Sequence, residues 1–479
     1  MANPSKTTKI KVRKKRSSGR KRGNPRLLAV KALSKWLASE PGQRPELEVL
    51  GDKILGKASI SEKDKALYWN ILIGTVRWLR LIRWHLDRYL KRFSKLPQDV
   101  QAALLTGGYQ IIFLSRVPYF SAVNESVEIV RTLGHSWASG LVNASLRNLA
   151  RGNKVIPEST QNILERCAKG FENCVANLTS HPHWMVKRWS KRWGHEICAS
   201  VCMNNNLQPP LVLRVNTLKI SVEDFLELLN KSGFVGERCS ISPVGVILHG
   251  HRGGIDKIPG FKQGYFQVQD EASQLVGLLL DPHPGQKILD VCAGVGGKTT
   301  LLAQLIQDEG EIVACDVNSS RLALLKENLA RLGIGSVKVT LLDHEGEELI
   351  RSSGPYDKVL IDAPCSGLGV IRRHPDIKWN RIPPDIESLS KVQGNLLQTW
   401  SKLVRPGGVL VFSVCTLEEE ETFEIVENFL EKNKDFSLRS ASSVVPGLPQ
   451  DIIQKDMVRV YPGSHGMDGF FVSVLEKSN

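Results

Sequence analysis

No stretch of this 479-residue chain approaches the roughly 20 consecutive apolar residues of a membrane-spanning helix, and no signal-peptide core follows its basic start. The nine cysteines are odd in number and contain no CxxC pair. Neither a disulfide framework nor a zinc ribbon is expected, and a reducing, cytoplasmic compartment fits. His181, His183, His195, Cys198 and Cys202 match no zinc spacing, so no metal is expected. Acid is missing from the start: nothing precedes Glu40, against eleven Lys and Arg in residues 1–26. Of the formal charge of +15, that leaves +4 (15 − 11) for the remainder, so the basic excess belongs to a tail. Residues 1–25 cannot bury a core. They are expected to stay disordered until they meet a polyanion, with a solubilising segment or an organellar transit peptide as the other readings. Apolar residues at 42% and charged residues at 24% describe a globular chain, and its length suggests about three domains at roughly 150 residues each.

Residues 26–152 carry helical periodicity throughout. Leu27, Leu28, Ala32, Leu33, Trp36 and Leu37 form one apolar stripe. Ser59–Glu62 reads as a capping box opening one long helix towards Leu90. A compact all-α bundle follows. Residues 153–206 read as a helical linker. Residues 207–268 mix a strand, Leu211–Asn216, with a helix, Val222–Lys231, as a small α+β module. From 269 to 479 strands and helices alternate, with strands expected at Lys287–Val291, Glu311–Cys315, Ser336–Leu341, Lys358–Ile361, Val409–Ser413 and Gly469–Leu475. Such alternation predicts a doubly wound α/β domain whose ligands bind at the carboxyl ends of the strands.

The first of these strands runs into Asp290-Val-Cys-Ala-Gly-Val-Gly-Gly-Lys-Thr-Thr300. A phosphate-cradling P-loop would need glycine where Cys292 stands. A nucleoside-cofactor loop instead requires an acid about 20 residues on to hold ribose hydroxyls, and Asp316 occupies that place. The bland alternative is a tight turn with a helix cap. Two further strand ends each present a cysteine: Asp362-Ala-Pro-Cys365-Ser-Gly and Val414-Cys415-Thr. Buried cysteines are commonly inert, but thiols beside a nucleoside cofactor suggest a specific chemistry. Carbon 5 of a pyrimidine is a poor nucleophile. A thiolate added at carbon 6 makes it enamine-like and able to accept an activated methyl group.

At these residues the chain resembles the RNA 5-methylcytosine methyltransferases, the NOL/NOP/Sun family, over nearly its whole length after the tail. The most specific stretch is Asp362-Ala-Pro-Cys-Ser-Gly-Leu-Gly-Val-Ile-Arg-Arg-His-Pro-Asp-Ile-Lys-Trp379. Tyr119–Val127 and Asn143–Arg151 resemble a NusB-like RNA-binding domain; His181–Trp184, Leu213–Asn216, Gln267–Asp270 and Asp468–Phe471 carry further likeness. The resemblance implies S-adenosylmethionine as methyl donor, held by Cys292, Ala293, Gly294, Val295, Gly296, Gly297 and Lys298, with Asp316 at the ribose and Asp343 near the adenine. It places Asp362 beside both cofactor and target base, makes Cys415 the nucleophile and has Cys365 assist product release. A Pro-Cys nucleophile, as in DNA cytosine-5 methyltransferases, would exchange the two cysteines. Gly294-Val295 stand where the family usually has Ala-Pro, and Val414 where it has Thr. Arg372, Arg373, His374 and Lys378, next to the Pro-Cys turn, together with Arg214 and Asn216, are expected to contact RNA, against the alternative of a solvated charged loop. The expected partner is RNA (16S rRNA or a small-subunit assembly intermediate) with no membrane and a monomeric chain. A binding factor with a degenerate catalytic domain, or action on tRNA, are the competing functions.

Deleting residues 2–22 is expected to weaken RNA binding and flatten its dependence on salt. Filter binding across a salt series checks this, and an unchanged slope would return the tail to a solubilising role.

Overall fold

The computed structural model describes residues 23–251 and 253–479, so the expectation for the basic tail lies outside the described residues up to position 22. Contacts divide the chain into two compact units. One takes residues up to Ala38, Pro45–Gly74 and Arg92–Ala150; the other takes Ser39–Arg44, Thr75–Lys91 and Arg151–Asn479. Two segments of the stretch read as one helical domain thus belong with the second unit.

The helical half runs α1 (Pro25–Leu37), α2 (Leu47–Leu55), α3 (Glu62–Arg77), α4 (Leu79–Leu86), α5 (Gln98–Phe113), α6 (Tyr119–Thr132), α7 (Ser139–Arg151), α8 (Thr160–Arg166), α9 (Phe171–Leu178) and α10 (His183–Asn204). In the first unit α1 begins where Asn24 accepts from the Arg26 and Leu27 amides, with Pro25 at the first helical position. Its stripe Ala29, Val30, Ala32, Leu33 and Trp36 is fully buried. A Cβ at Gly74 would sit 2.1 Å from the Tyr109 ring, so α3 and α5 can approach this closely only with glycine there. The cap of α3 lies two residues later than expected: the Ser61 hydroxyl accepts from the Asp64 amide at 3.2 Å.

The single helix expected up to Leu90 is two helices, broken at Trp78 (φ −107°, ψ 19°). Side chains from distant segments of the second unit satisfy the broken ends. Ser180 Oγ accepts from the Arg80 and Leu81 amides at the start of α4, and the Val76 carbonyl accepts from Trp379 Nε1. A second correction concerns the cysteines. Cys167 and Cys174 are joined by a disulfide, because the turn between α8 and α9 brings together two residues whose spacing carries no recognisable signature.

The small module contains β1 (Leu211–Val215), α11 (Val222–Lys231), β2 (Val235–Arg238), β3 (Gly245–His249) and β4 (Phe266–Val268). Its antiparallel sheet has the order β2-β3-β1-β4. Val222, Phe225 and Leu229 of α11 pack with Leu213, Val246 and Phe266 from the strands.

The remainder continues as α12 (Glu271–Leu280), β5 (Lys287–Asp290), α13 (Gly297–Leu305), β6 (Glu311–Asp316), α14 (Ser319–Leu332), β7 (Val337–Leu341), α15 (His344–Ser353), β8 (Tyr356–Asp362), α16 (Ile377–Asn380), α17 (Pro383–Trp400), β9 (Val404–Val414), α18 (Phe423–Lys432), β10 (Phe436–Arg439), α19 (Ala441–Val444), β11 (Ile453–Gln454), β12 (Met457–Val460) and β13 (Phe470–Lys477). The nine-stranded sheet has the order β11-β12-β13-β9-β8-β5-β6-β7, with β10 on β13. Strands β5 to β9 pair in parallel and β13 runs antiparallel to β9. All six expected strands are present; β10, β11 and β12 add four, two and four residues, too short to show periodicity. Leu289, Val313, Val359 and Phe412 pack in the core on one face, while Ile288, Ile312, Leu360 and Val411 pack in the core on the other. Both faces are covered, as a doubly wound sheet requires. The parallel order changes direction at β5, so the loops after β5, β6, β8 and β9 open along one edge.

Ser180→Ala removes the acceptor for two amides at the buried start of α4, which is expected to cost about 1–3 kcal/mol. Urea unfolding monitored by tryptophan fluorescence checks this.

Candidate active site

Asp290 closes β5 inside the protein. Its Oδ2 accepts from Thr299 Oγ1 at 2.6 Å, while its buried Oδ1 has no hydrogen-bond partner among the described residues. Burial, with Asp362 and Asp316 nearby, pushes its pKa up to about 7 against the opposing Thr299 bond and Lys298 charge. Beyond it the chain folds back as a turn, Gly296 N to the Ala293 carbonyl at 2.9 Å. Gly294 and Gly296 take φ of +55° and +86°. A Cβ at Gly296 would lie 2.1 Å from Leu325, so helix α14 can seat against the loop only with glycine there. Asp316, ending β6, accepts from Gly294 N at 2.9 Å and from Asn318 N at 2.8 Å, tying two loops together. Asn328 Nδ2 donates to the Val295 carbonyl at 3.1 Å. The loop is therefore pinned without the proline that the family usually places there.

Lys298, in the first turn of α13, reaches Asp362 Oδ2 at 2.5 Å. The other Asp362 oxygen accepts from Ser413 Oγ at 2.9 Å. One turn beyond, Cys365 Sγ and Cys415 Sγ stand 3.3 Å apart. Their hydrogen bond, then burial, raises the Cys365 thiol well above its ordinary value. Burial likewise raises Cys292. A single cavity of about 710 Å³ takes in Cys292, Ala293, Gly294, Val295, Gly297, Lys298, Asp316, Asp362 and both site cysteines. The residues singled out on four separate strand ends thus share one cleft. Gly296 lies outside the lining and shapes the loop from behind.

Three family models match the chain: 16S rRNA methyltransferase RsmB/F over residues 277–476, the NusB family over 23–151, and the ferredoxin-like domain of RsmF/B-like methyltransferases over 181–253. Ribosomal RNA small subunit methyltransferase B of Pseudomonas syringae is 34% identical over 457 residues, covering 95% of this chain and 97% of its own. The chain belongs to this family. Among solved structures, a methyltransferase homolog protein from Pyrococcus horikoshii is 31% identical with a TM-score of 0.54, covering 67% of this chain and 99% of its own. NSun6 from the same organism, solved with SFG (an S-adenosylmethionine analogue), is 25% identical with a TM-score of 0.55, covering 62% and 98%.

The cofactor of this methyltransferase family is S-adenosylmethionine, and the cleft fits it. The unpartnered Asp290 Oδ1 and the Asp316 carboxylate are acceptors for amino and hydroxyl groups. Exposed Val295 and Val317 offer apolar surface at the same mouth. Asp343, expected near the adenine, caps α15 by accepting from Gly346 N at 2.9 Å through one carboxylate oxygen, and its neighbour Leu342 lines the cavity.

The expected RNA contacts divide. Arg373 and His374 line the cavity, but Arg214, Asn216, Arg372 and Lys378 are buried and serve the fold. Arg214 donates to Gln269 Oε1, the Gly297 carbonyl and Thr300 Oγ1; burial, then Arg331, lowers its pKa to about 9. Asn216 Nδ2 donates to the Gly264 and Leu332 carbonyls. Lys378 Nζ donates to the Arg77 carbonyl and Asn206 Oδ1, and burial holds its pKa well down. Arg372 pairs with Asp468, which also takes Arg373; Arg373 in turn reaches Asp270 at 2.7 Å. A run of bases reads as a surface for a polyanion, yet here the acids that pair with Arg373 lie 103 residues before it and 95 after it. Asp270, Asp290, Arg321 and Asp468 also line the cavity, and patterning did not single them out. The three aspartates lie within stretches quoted above for other reasons.

Arg372→Ala leaves a buried carboxylate short of a partner and is expected to cost about 3–5 kcal/mol in urea unfolding. The salt dependence of RNA binding should remain as in the parent chain.

Proposed function

We propose that this methyltransferase forms 5-methylcytosine in 16S rRNA, with Cys415 as the covalent nucleophile. One observation carries the reading: two thiols 3.3 Å apart at adjacent strand ends, in the same cleft as the acid-lined cofactor loop. S-adenosylmethionine, when bound, supplies an electrophilic methyl group. The Cys415 thiolate adds to carbon 6 of the cytosine, and carbon 5 gains the nucleophilic character to accept that methyl. The target base reaches the cleft only if flipped or already unpaired.

Cys365 keeps its proton during attack, because the bond to Cys415 is the first cause of its raised pKa. That cause disappears once Cys415 is a thioether; burial and the nearby Glu421 charge remain. In this reading Cys365 then passes its own proton to solvent and, as a thiolate, takes the proton from carbon 5. The carbon 5–carbon 6 double bond re-forms and Cys415 leaves as a thiolate. Asp362 is held on one side by Lys298 and on the other by Ser413. That clamp orients its carboxylate beside the base and the cofactor. Arg373 and His374, at the mouth of the same cavity, face the RNA.

A trapping gel tests the assignment. Cys365→Ala protein mixed with RNA and S-adenosylmethionine, then denatured, should give a slow-migrating protein–RNA adduct that Cys415→Ser abolishes. An adduct from Cys415→Ala, with none from Cys365→Ala, would exchange the two roles.

A further inference from the structure

The two cysteine turns come from segments 50 residues apart, yet one buried side chain joins them. Glu421 lies fully buried beyond Cys415, between β9 and α18. Its Oε1 accepts from the Ser366 amide at 2.8 Å and from Gln393 Nε2 at 3.0 Å. The same Gln393 amide donates to the Pro364 carbonyl at 2.9 Å. Its Oε2 accepts from Thr416 Oγ1 at 3.3 Å, and Thr416 Oγ1 shares a 2.8 Å hydrogen bond with Ser366 Oγ. Among the described residues, every polar contact on this carboxylate therefore comes from a residue flanking one of the two thiols, or from the glutamine that holds Pro364 beside Cys365.

We propose that Glu421 is a positioning residue of the two-cysteine site, a clamp that ties the Pro364–Ser366 turn to the Cys415–Thr416 turn and sets the separation of the thiols. The hydroxyl chain has one consistent direction: Ser366 donates to Thr416 and Thr416 donates to Glu421, which ends the chain as an acceptor-only group. No side chain bonded to Glu421 is a base, so no proton passes along the clamp, while the Glu421 charge adds to the causes that raise the Cys365 thiol. The inference rests on the catalytic reading of Cys415 for its effect on turnover, while the separation of the thiols can be measured without RNA.

The experiment uses the full chain and two readouts. Diamide oxidation, with the Cys365–Cys415 disulfide identified by peptide mass spectrometry, reports thiol spacing. Steady-state methyl transfer separates kcat from KM. Glu421→Ala is expected to slow cross-linking about tenfold and lower kcat by about 100-fold, the size expected of a misplacement near 1 Å, with KM for RNA within about twofold of the parent. Glu421→Gln keeps one accepting oxygen and an amide that can reverse the hydroxyl chain, and should restore both readouts to within about fivefold. Where Glu421→Ala fails to fold, Thr416→Val interrupts the same connection and should slow cross-linking about threefold. Cross-linking at the parent rate in Glu421→Ala, or a Glu421→Gln variant as impaired as Glu421→Ala, would overturn the clamp. Loss of Cys415 as nucleophile in the trapping gel, with cross-linking still sensitive to Glu421, would overturn the catalytic reading and leave the clamp standing.

Discussion

The pairing of β8 with β9 is the constraint on which the site depends. Their parallel register sets Asp362 opposite Ser413, so the two strands end together and the following turns start level. Cys365 lies three residues beyond Asp362 and Cys415 two beyond Ser413, which brings their sulfurs within contact. A slip of one residue would turn Ser413 to the opposite face and carry its hydroxyl away from Asp362. The register is held from both sides, by β5 on β8 and β13 on β9. The chemistry therefore rests on a fully paired part of the sheet rather than on its edge.

Much of this was legible in the sequence, because the features involved are periodic or local. The apolar strands, the spacing from Gly296 to Asp316 and the two cysteine-bearing strand ends all depend on neighbours within about 20 residues. What was not legible depends on distant partners. The break at Trp78 is stabilised by Ser180 and Trp379. The disulfide between Cys167 and Cys174 follows from how α8 meets α9. The fate of Arg214, Arg372 and Lys378 was hidden for the same reason: each is a cation whose acceptors come from other segments. A lone basic residue carries the same symbol whether it meets phosphate or a buried carbonyl.

That misreading alters the electrostatic picture of the cleft. Arg372 and Arg373 balance Asp270 and Asp468 inside the second unit. Their charges are largely spent within the protein. Around the cofactor loop Asp316 and Asp362, with Asp290 raised by burial to a pKa of about 7, face Lys298 and Arg321. Carboxylates at that end suit a cationic sulfonium cofactor, whereas a polyanion must be met by groups at the mouth such as His374.

The buried Arg214 has a consequence for how the chain can be divided. It belongs to β1 of the small module, yet its guanidinium holds the Gly297 carbonyl and the Thr300 hydroxyl at the opening turn of α13. A fragment beginning at Gln269 would contain every strand of the large sheet and every lining residue but Val268. It would still lack the arginine that braces its cofactor loop. The border visible in the sequence is thus a border of topology and not of autonomy: the small module is a structural subunit of the cofactor pocket. Shuffling it between relatives would exchange part of that pocket along with it.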